Sequence, residues 1–187
     1  PAPAARASAP PPDPLVRGGP DEATGWAEGV PPLVDAGARV VVPNLRGFGG
    51  SRFRDASAPR TGNSGILAMD AIALMDGLGI ERFAVVGHDW GSNIAEALAV
   101  GWPGRLERIA LLSTPPRLGG TPTPPFEQSQ RYWYPSLMAT ERGATAVRDD
   151  PHALAPLPWF NWAPPGWFAV APFSAAGRST SIPKPAS

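Results

Sequence analysis

Apolar and polar positions fall into alternating blocks through the middle of the chain. Residues 39–42 form a short β-branched run, closed by Pro43 and the turn formers Asn44, Gly47, Gly49 and Gly50. Leu67, Ala71, Leu74 and Leu78 recur at spacings of four, three and four, and Met75 widens the stripe. That period predicts an amphipathic helix over residues 64–78, ended by Gly77 and Gly79. Residues 83–86 form a second apolar run that leads into Gly87. A second helix is predicted from 92 to 100, stopped by Gly101 and Pro103, and a third strand over 109–112. Strands separated by single helices predict βαβ crossovers and a parallel sheet. Their unbroken apolar runs predict burial on both faces.

The later part of the chain has a different texture. Residues 125–168 are rich in aromatics and predict helices broken by prolines, with one helix over 136–148 kinked near Gly143. Trp159, Phe160, Trp162, Trp167 and Phe168 form a cluster. It suits core packing, or the wall of an apolar substrate pocket. Proline marks the flanks: six in residues 1–14, six in 15–114 and fourteen in 115–187. The first fourteen residues and those after Phe173 therefore read as mobile tails around a packed middle.

Composition narrows the function classes. Lys+Arg and Asp+Glu are both 16, so the net charge is zero and no basic footprint for nucleic acid exists. There are 26 Pro and 21 Gly, but 43% of residues are hydrophobic, enough to bury a core. The absence of cysteine excludes a disulfide framework, a thiolate metal site and a Cys nucleophile. The two histidines, His88 and His152, do not make a zinc site, and no metal or organic cofactor is implied. No stretch reaches 18 consecutive apolar residues, so no membrane span is predicted. Residues 1–14 lack the apolar region of a signal peptide, so a cytoplasmic location is expected. The chain begins at Pro1 rather than Met, as a fragment or a processed form would. Nothing in the sequence fixes an oligomeric state.

The segment that carries chemistry is Phe83-Ala-Val-Val-Gly87-His88-Asp89-Trp90-Gly91-Ser92-Asn93. It has the form strand, Gly-x-Asp-x-Gly, helix: the nucleophile-elbow pattern with Asp in the place of Ser. The spacing has a steric origin. A residue on a strained turn at the end of a strand needs small neighbours two places on either side, so that strand and helix can approach. Gly87 and Gly91 fill those places. The helix that follows brings free N–H groups and a positive dipole end to the turn. An ordinary βα turn with an acidic residue is the plainer alternative.

The chain resembles the α/β-hydrolase superfamily, in its epoxide hydrolase and haloalkane dehalogenase branch. Gly87-His88-Asp89-Trp90-Gly91 matches the aspartate elbow of epoxide hydrolases. Arg17-Gly18-Gly19-Pro20-Asp21 sits where that family has its His-Gly-x-Pro oxyanion loop, and Arg46-Gly47-Phe48-Gly49 resembles its Arg-Gly-x-Gly loop. Tyr132-Trp133-Tyr134, residues 139–143 and residues 162–168 resemble its helical cap. The resemblance covers about 15–168. It implies an α/β fold: an incomplete parallel-sheet hydrolase core over 15–124, part of a helical cap over 125–170, and tails at 1–14 and 171–187.

The resemblance also implies roles. Asp89 is the nucleophile, forming an alkyl ester with a small apolar epoxide or halide. The N–H groups of Gly19 and Trp90 form the oxyanion hole. Tyr134 is the cap acid that protonates the epoxide oxygen. Gly19 stands where a halide-binding Asn is found in dehalogenases, which favours an epoxide. Three departures stand against full turnover. No histidine follows His152, so the family's hydrolytic base and its acid have no counterpart, and neither His88 nor His152 is expected to serve. Arg17 replaces the family's histidine. The strand before the oxyanion loop is Asp13-Pro14-Leu15-Val16-Arg17, where a proline is foreign to a central strand. The contrasting expectation is a non-catalytic remnant or a Pro-rich interaction protein using the PxxP forms at 11–14 and 122–125.

Overall fold

The computed structural model describes the backbone of residues 13–17, and residues 23–55, 57–114, 116, 123–154, 157 and 162. The chain divides into two compact units, Pro1–Pro116 and Arg117–Ser187. Residues 1–12 and 171–187, Gly19, Trp159, Phe160, Trp167 and Phe168 lie outside the described residues, whereas Asp13 and Pro14, expected in the first tail, belong to a strand of the sheet.

The first unit holds β1 (Asp13–Arg17), α1 (Val30–Asp35), β2 (Val40–Val41), α2 (Ser64–Gly77), β3 (Phe83–His88), α3 (Trp90–Gly101) and β4 (Leu106–Leu112). The strands form one sheet in the order β2-β1-β3-β4, and each neighbouring pair is parallel. β1 is thus an interior strand despite Pro14. Its two ends have different neighbours: Asp13 and Pro14 pair with Val40 and Val41, whereas Leu15, Val16 and Arg17 pair with Val86, Gly87 and His88. The missing proline N–H falls in the half recorded against β2, so the ladder to β3 is unaffected.

α2 starts at an asparagine cap. Asn63 is extended (φ −69°, ψ 121°), and its Oδ1 accepts from the N–H groups of Gly65 (2.8 Å) and Ile66 (3.3 Å). Two donors that the first helical turn leaves without intrahelical partners are thereby satisfied. Asn63→Ala is expected to lower unfolding stability by about 1 kcal/mol. A urea melt whose midpoint matches that of the unsubstituted chain would contradict this.

The core lies between the sheet and the pair α2 and α3. Leu67, Ala68, Ile72 and Met75 of α2 meet Phe83 and Val85 of β3 and Ile94, Ala95 and Leu98 of α3. Full burial of a side chain such as Phe83, Met75, Ile94 or Leu98 contributes about 1.5–3 kcal/mol. The helix predicted over 64–78 is present, but its buried stripe is rotated from the predicted one. Ala71 and Leu74 are half-buried and Leu78 is exposed. The chain turns at Leu78–Gly79, so Leu78 has left the packed face before Ile80 re-enters it.

Burial on both faces does not hold for the strands. β3 alternates: Phe83, Val85 and Gly87 are buried against the helices, and Ala84, Val86 and His88 are half-buried. β4 starts three residues earlier than predicted and ends the sheet order. Glu107, Arg108, Ile109 and Ala110 are all exposed. Arg105 anchors its entry. The guanidinium donates to the carbonyls of Glu81 (2.5 Å) and Ile80 (2.9 Å), and pairs with Asp76 at 2.8 Å.

The second unit contains α4 (Phe126–Arg131), α5 (Trp133–Met138), α6 (Glu141–Asp149) and α7 (Pro151–Leu154). The single kinked helix expected over 136–148 is instead two helices. Thr140 adopts an extended conformation and caps α6, its Oγ1 accepting from Gly143 N–H at 3.0 Å. Gly143 is not a kink. It is the point where α6 presses on α5, since a β-carbon there would lie 1.9 Å from the Leu137 carbonyl oxygen. Among the described residues no helix is long and apolar enough to cross a membrane.

Candidate active site

Strand order locates the place where a site can form. The chain leaves β1 toward β2 on one side of the sheet, and leaves β3 toward β4 on the other. Where neighbouring parallel strands diverge in this way, their carboxyl ends bound a crevice. Arg17 and His88, the last residues of β1 and β3, are register partners, and His88 also pairs with Leu112, the last residue of β4. Three strands therefore end level with one another, and Asp89 is the next residue out on β3.

Asp89 stands between β3 and α3 with φ 53° and ψ −115°. A side chain is strained in that conformation, and such strain persists only where the surroundings enforce it. They do so here through backbone contacts. Asp89 N–H donates to Leu112 O at 3.1 Å, and Asp89 O accepts from Ser92 N–H at 2.9 Å. The Thr114 hydroxyl donates to Asp89 O at 3.4 Å. Gly87 and Gly91 bring strand and helix together, because a β-carbon on Gly87 would sit 2.2 Å from Gly91 O. The carboxylate side chain is half-buried.

Trp90 is the first residue of α3, where a helix offers an N–H without an intrahelical acceptor. Its indole is 42% exposed, with Gly62 beside it. Asp89, Trp90, Gly87 and Gly91 are thus brought together on one turn. Tyr134 belongs to the second unit. It lies half-buried on α5, with its ring 6.4 Å from that of Tyr132 and 6.1 Å from that of Trp133. Trp162 is 43% exposed and packs on Tyr132 at 4.7 Å. His152 is exposed on α7. Among the described residues, no group of three His, Asp or Glu side chains is placed to hold a metal ion.

Sequence reasoning missed several contacts elsewhere in the first unit and one support of this turn, Ser92. The Arg46 guanidinium donates to both carboxylate oxygens of Asp70, which ties the loop after β2 to α2 and pushes the Arg46 pKa up. Asn44 accepts from Ala23 N–H at 2.8 Å through Oδ1, and its carbonyl accepts from the Ser51 hydroxyl at 2.9 Å. Ser92 is buried in the α3 face otherwise formed by Gly91, Ile94, Ala95 and Leu98. A lone hydroxyl inside an apolar helix face was the one available signal for it.

Comparison with known proteins bears on the fold and the family. Residues 15–155 match the family model described as the alpha/beta hydrolase fold. Epoxide hydrolase A of Mycobacterium tuberculosis is 36% identical over 114 residues, covering 60% of this chain and 35% of that protein. Epoxide hydrolase B of the same organism is 32% identical over 153 residues, covering 73% and 42% respectively. The solved structure of a candidate epoxide hydrolase from Klebsiella pneumoniae subsp. pneumoniae is 34% identical with a TM-score of 0.77, covering 91% of this chain and 57% of that one. The chain spans less than half the length of these two curated relatives. A parallel sheet with an elbow at the end of an inner strand and a family match over residues 15–155 lead to one assignment: the chain belongs to the α/β-hydrolase fold family.

Proposed function

We propose that the chain carries the alkylating half of an epoxide hydrolase reaction, with Asp89 as nucleophile. The observation that carries this reading is the strained Asp89 (φ 53°) at the outer end of β3, held above the first turn of α3. The epoxide hydrolases among its relatives support the substrate class. In the first step an Asp89 carboxylate oxygen bonds to a ring carbon, the ring C–O bond breaks, and the ring oxygen takes a proton from water. The product is a hydroxyalkyl ester on Asp89. In the second step water attacks the ester carbonyl, and the Trp90 N–H receives the oxyanion. That step needs a base, and the chain's histidines are His88, adjacent to Asp89, and His152, on α7. Neither is assigned that role.

Intact-mass spectrometry after incubation with a small aryl epoxide tests the reading. The expected result is one adduct per chain, mapped to Asp89. No adduct, or adducts scattered over the carboxylates, would overturn it. A primary alkyl halide in a parallel incubation separates the two reactions of the branch, and the epoxide is expected to react faster.

A further inference from the structure

We propose that Ser92 is a positioning residue for Asp89, acting by fastening the end of β3 to the end of β4; the inference rests on the reading of Asp89 as nucleophile. The parallel ladder between β3 and β4 ends at the pair His88 and Leu112. Asp89, at φ 53°, turns away after its N–H has bonded Leu112 O at 3.1 Å, and its own carbonyl turns to Ser92 N–H at 2.9 Å. One side chain reaches three backbone groups at this point, beside that backbone bond. The Ser92 hydroxyl lies 2.8 Å from Gly87 O and 2.9 Å from Leu112 O, and its oxygen accepts from Leu112 N–H at 3.2 Å. One proton serves two carbonyls: donated to Gly87 O, the hydroxyl bridges β3 to the Leu112 N–H of β4, and donated to Leu112 O, it ties α3 to the end of β4.

Ser92 is 1% exposed, so water cannot replace it without rearrangement. Leu112 O is also the acceptor for Asp89 N–H at 3.1 Å. The hydroxyl therefore fixes the atom that in turn fixes the Asp89 backbone. Residue 92 sits three places into the turn, where a hydroxyl on a single carbon reaches back to Gly87 O. The side chain has no contact with substrate in this scheme. Its part is to hold the carboxylate-bearing backbone in a conformation it would otherwise leave.

The test compares Ser92→Ala with Ala95→Gly, a change at another buried position on the same face of α3. Both variants are expected to melt below the unsubstituted chain. Ser92→Ala alone is expected to slow Asp89 alkylation by the aryl epoxide, about tenfold to a hundredfold, as misplacement near 1 Å does. Equal slowing in both variants, or none in Ser92→Ala, would overturn the proposal. Ser92→Cys keeps the size with a weaker hydrogen-bonding group, and is expected to alkylate at an intermediate rate if Ser92→Ala fails to fold. Amide hydrogen exchange on the unsubstituted chain gives a readout independent of chemistry. The Asp89 and Leu112 amides are expected to be protected well above those of the 46–55 loop, and exchange at loop rates would count against the tie. If no adduct forms on the unsubstituted chain while these amides are protected, the nucleophile reading fails and the tie stands.

Discussion

Gly87→Ala is expected to leave a chain that no longer unfolds cooperatively. The added β-carbon would lie 2.2 Å from Gly91 O, 2.4 Å from the Gly91 carbonyl carbon and 2.7 Å from Ser92 N. All three are backbone atoms in the first turn of α3, so no side-chain rotation relieves the overlap. Carbon–carbon contacts want about 3.5–4 Å, so α3 must move off β3 by more than about 1 Å. The buried face of that helix, Ile94, Ala95 and Leu98, lies in the only large core the described residues contain. Overpacking commonly costs about 1–3 kcal/mol, and a forced backbone shift costs more. Against a typical domain stability of about 5–15 kcal/mol, that removes much of the margin. Gly101→Ala is the control, because nothing lies within 4 Å of a β-carbon there. Thermal unfolding followed by circular dichroism should lose its sharp transition in Gly87→Ala and keep it in Gly101→Ala. A sharp transition in both would show that β3 and α3 are not packed as described.

Asp89→Asn is expected to abolish adduct formation, a loss of about a thousandfold or more, with little change in stability. The two side chains have the same shape, and asparagine tolerates positive φ as well as aspartate does. Only the anionic nucleophile is lost, since an amide oxygen is a poor donor toward an sp3 carbon. Asp89→Gly separates chemistry from strain. A side chain held outside the allowed regions costs about 1–3 kcal/mol, and glycine does not carry that cost. The glycine variant is therefore expected to be inert toward epoxide yet more stable, by about 1 kcal/mol after its greater unfolded-state entropy is offset. Paired measurement of adduct mass and urea midpoint reads both effects. An adduct on the asparagine variant, or a glycine variant of lower stability, would contradict the strained elbow.

What the sequence made legible was local. Gly87-His88-Asp89-Trp90-Gly91 after an apolar run predicted the turn, because both the strand and the glycine spacing are short-range patterns. The position of β1 inside the sheet was harder to accept, since Pro14 argues against a central strand. The answer lay in which neighbour each residue of β1 meets, a fact of register that composition does not carry. The break between α5 and α6 was hidden because residues 136–148 suit a helix individually. Thr140 stops it by offering its hydroxyl to Gly143 N–H. The tie between Ser92 and Leu112 and the pairing of Arg46 with Asp70 join residues about 20 positions apart or more, and no periodicity announces them.

The strand order has a consequence for how the chain folds. β3, α3 and β4 are consecutive, and their pairing closes a loop of about 25 residues. β1 must reach β3 across about 70, which adds roughly 1 kcal/mol of loop-closure entropy before any contact compensates for it. Local pairings of this kind tend to form first and distant ones later. The segment from Phe83 to Leu112 is thus the natural nucleus, with the elbow assembled inside it before β1 docks on β3 and β2 on β1. Folding kinetics would show this as φ-values of about 0.5–0.8 for Val85→Ala and Ile94→Val, and near zero for Val41→Ala in β2. The reverse ordering would place nucleation at the β1–β2 side. On this pathway the strained aspartate is among the earliest features of the molecule to be set.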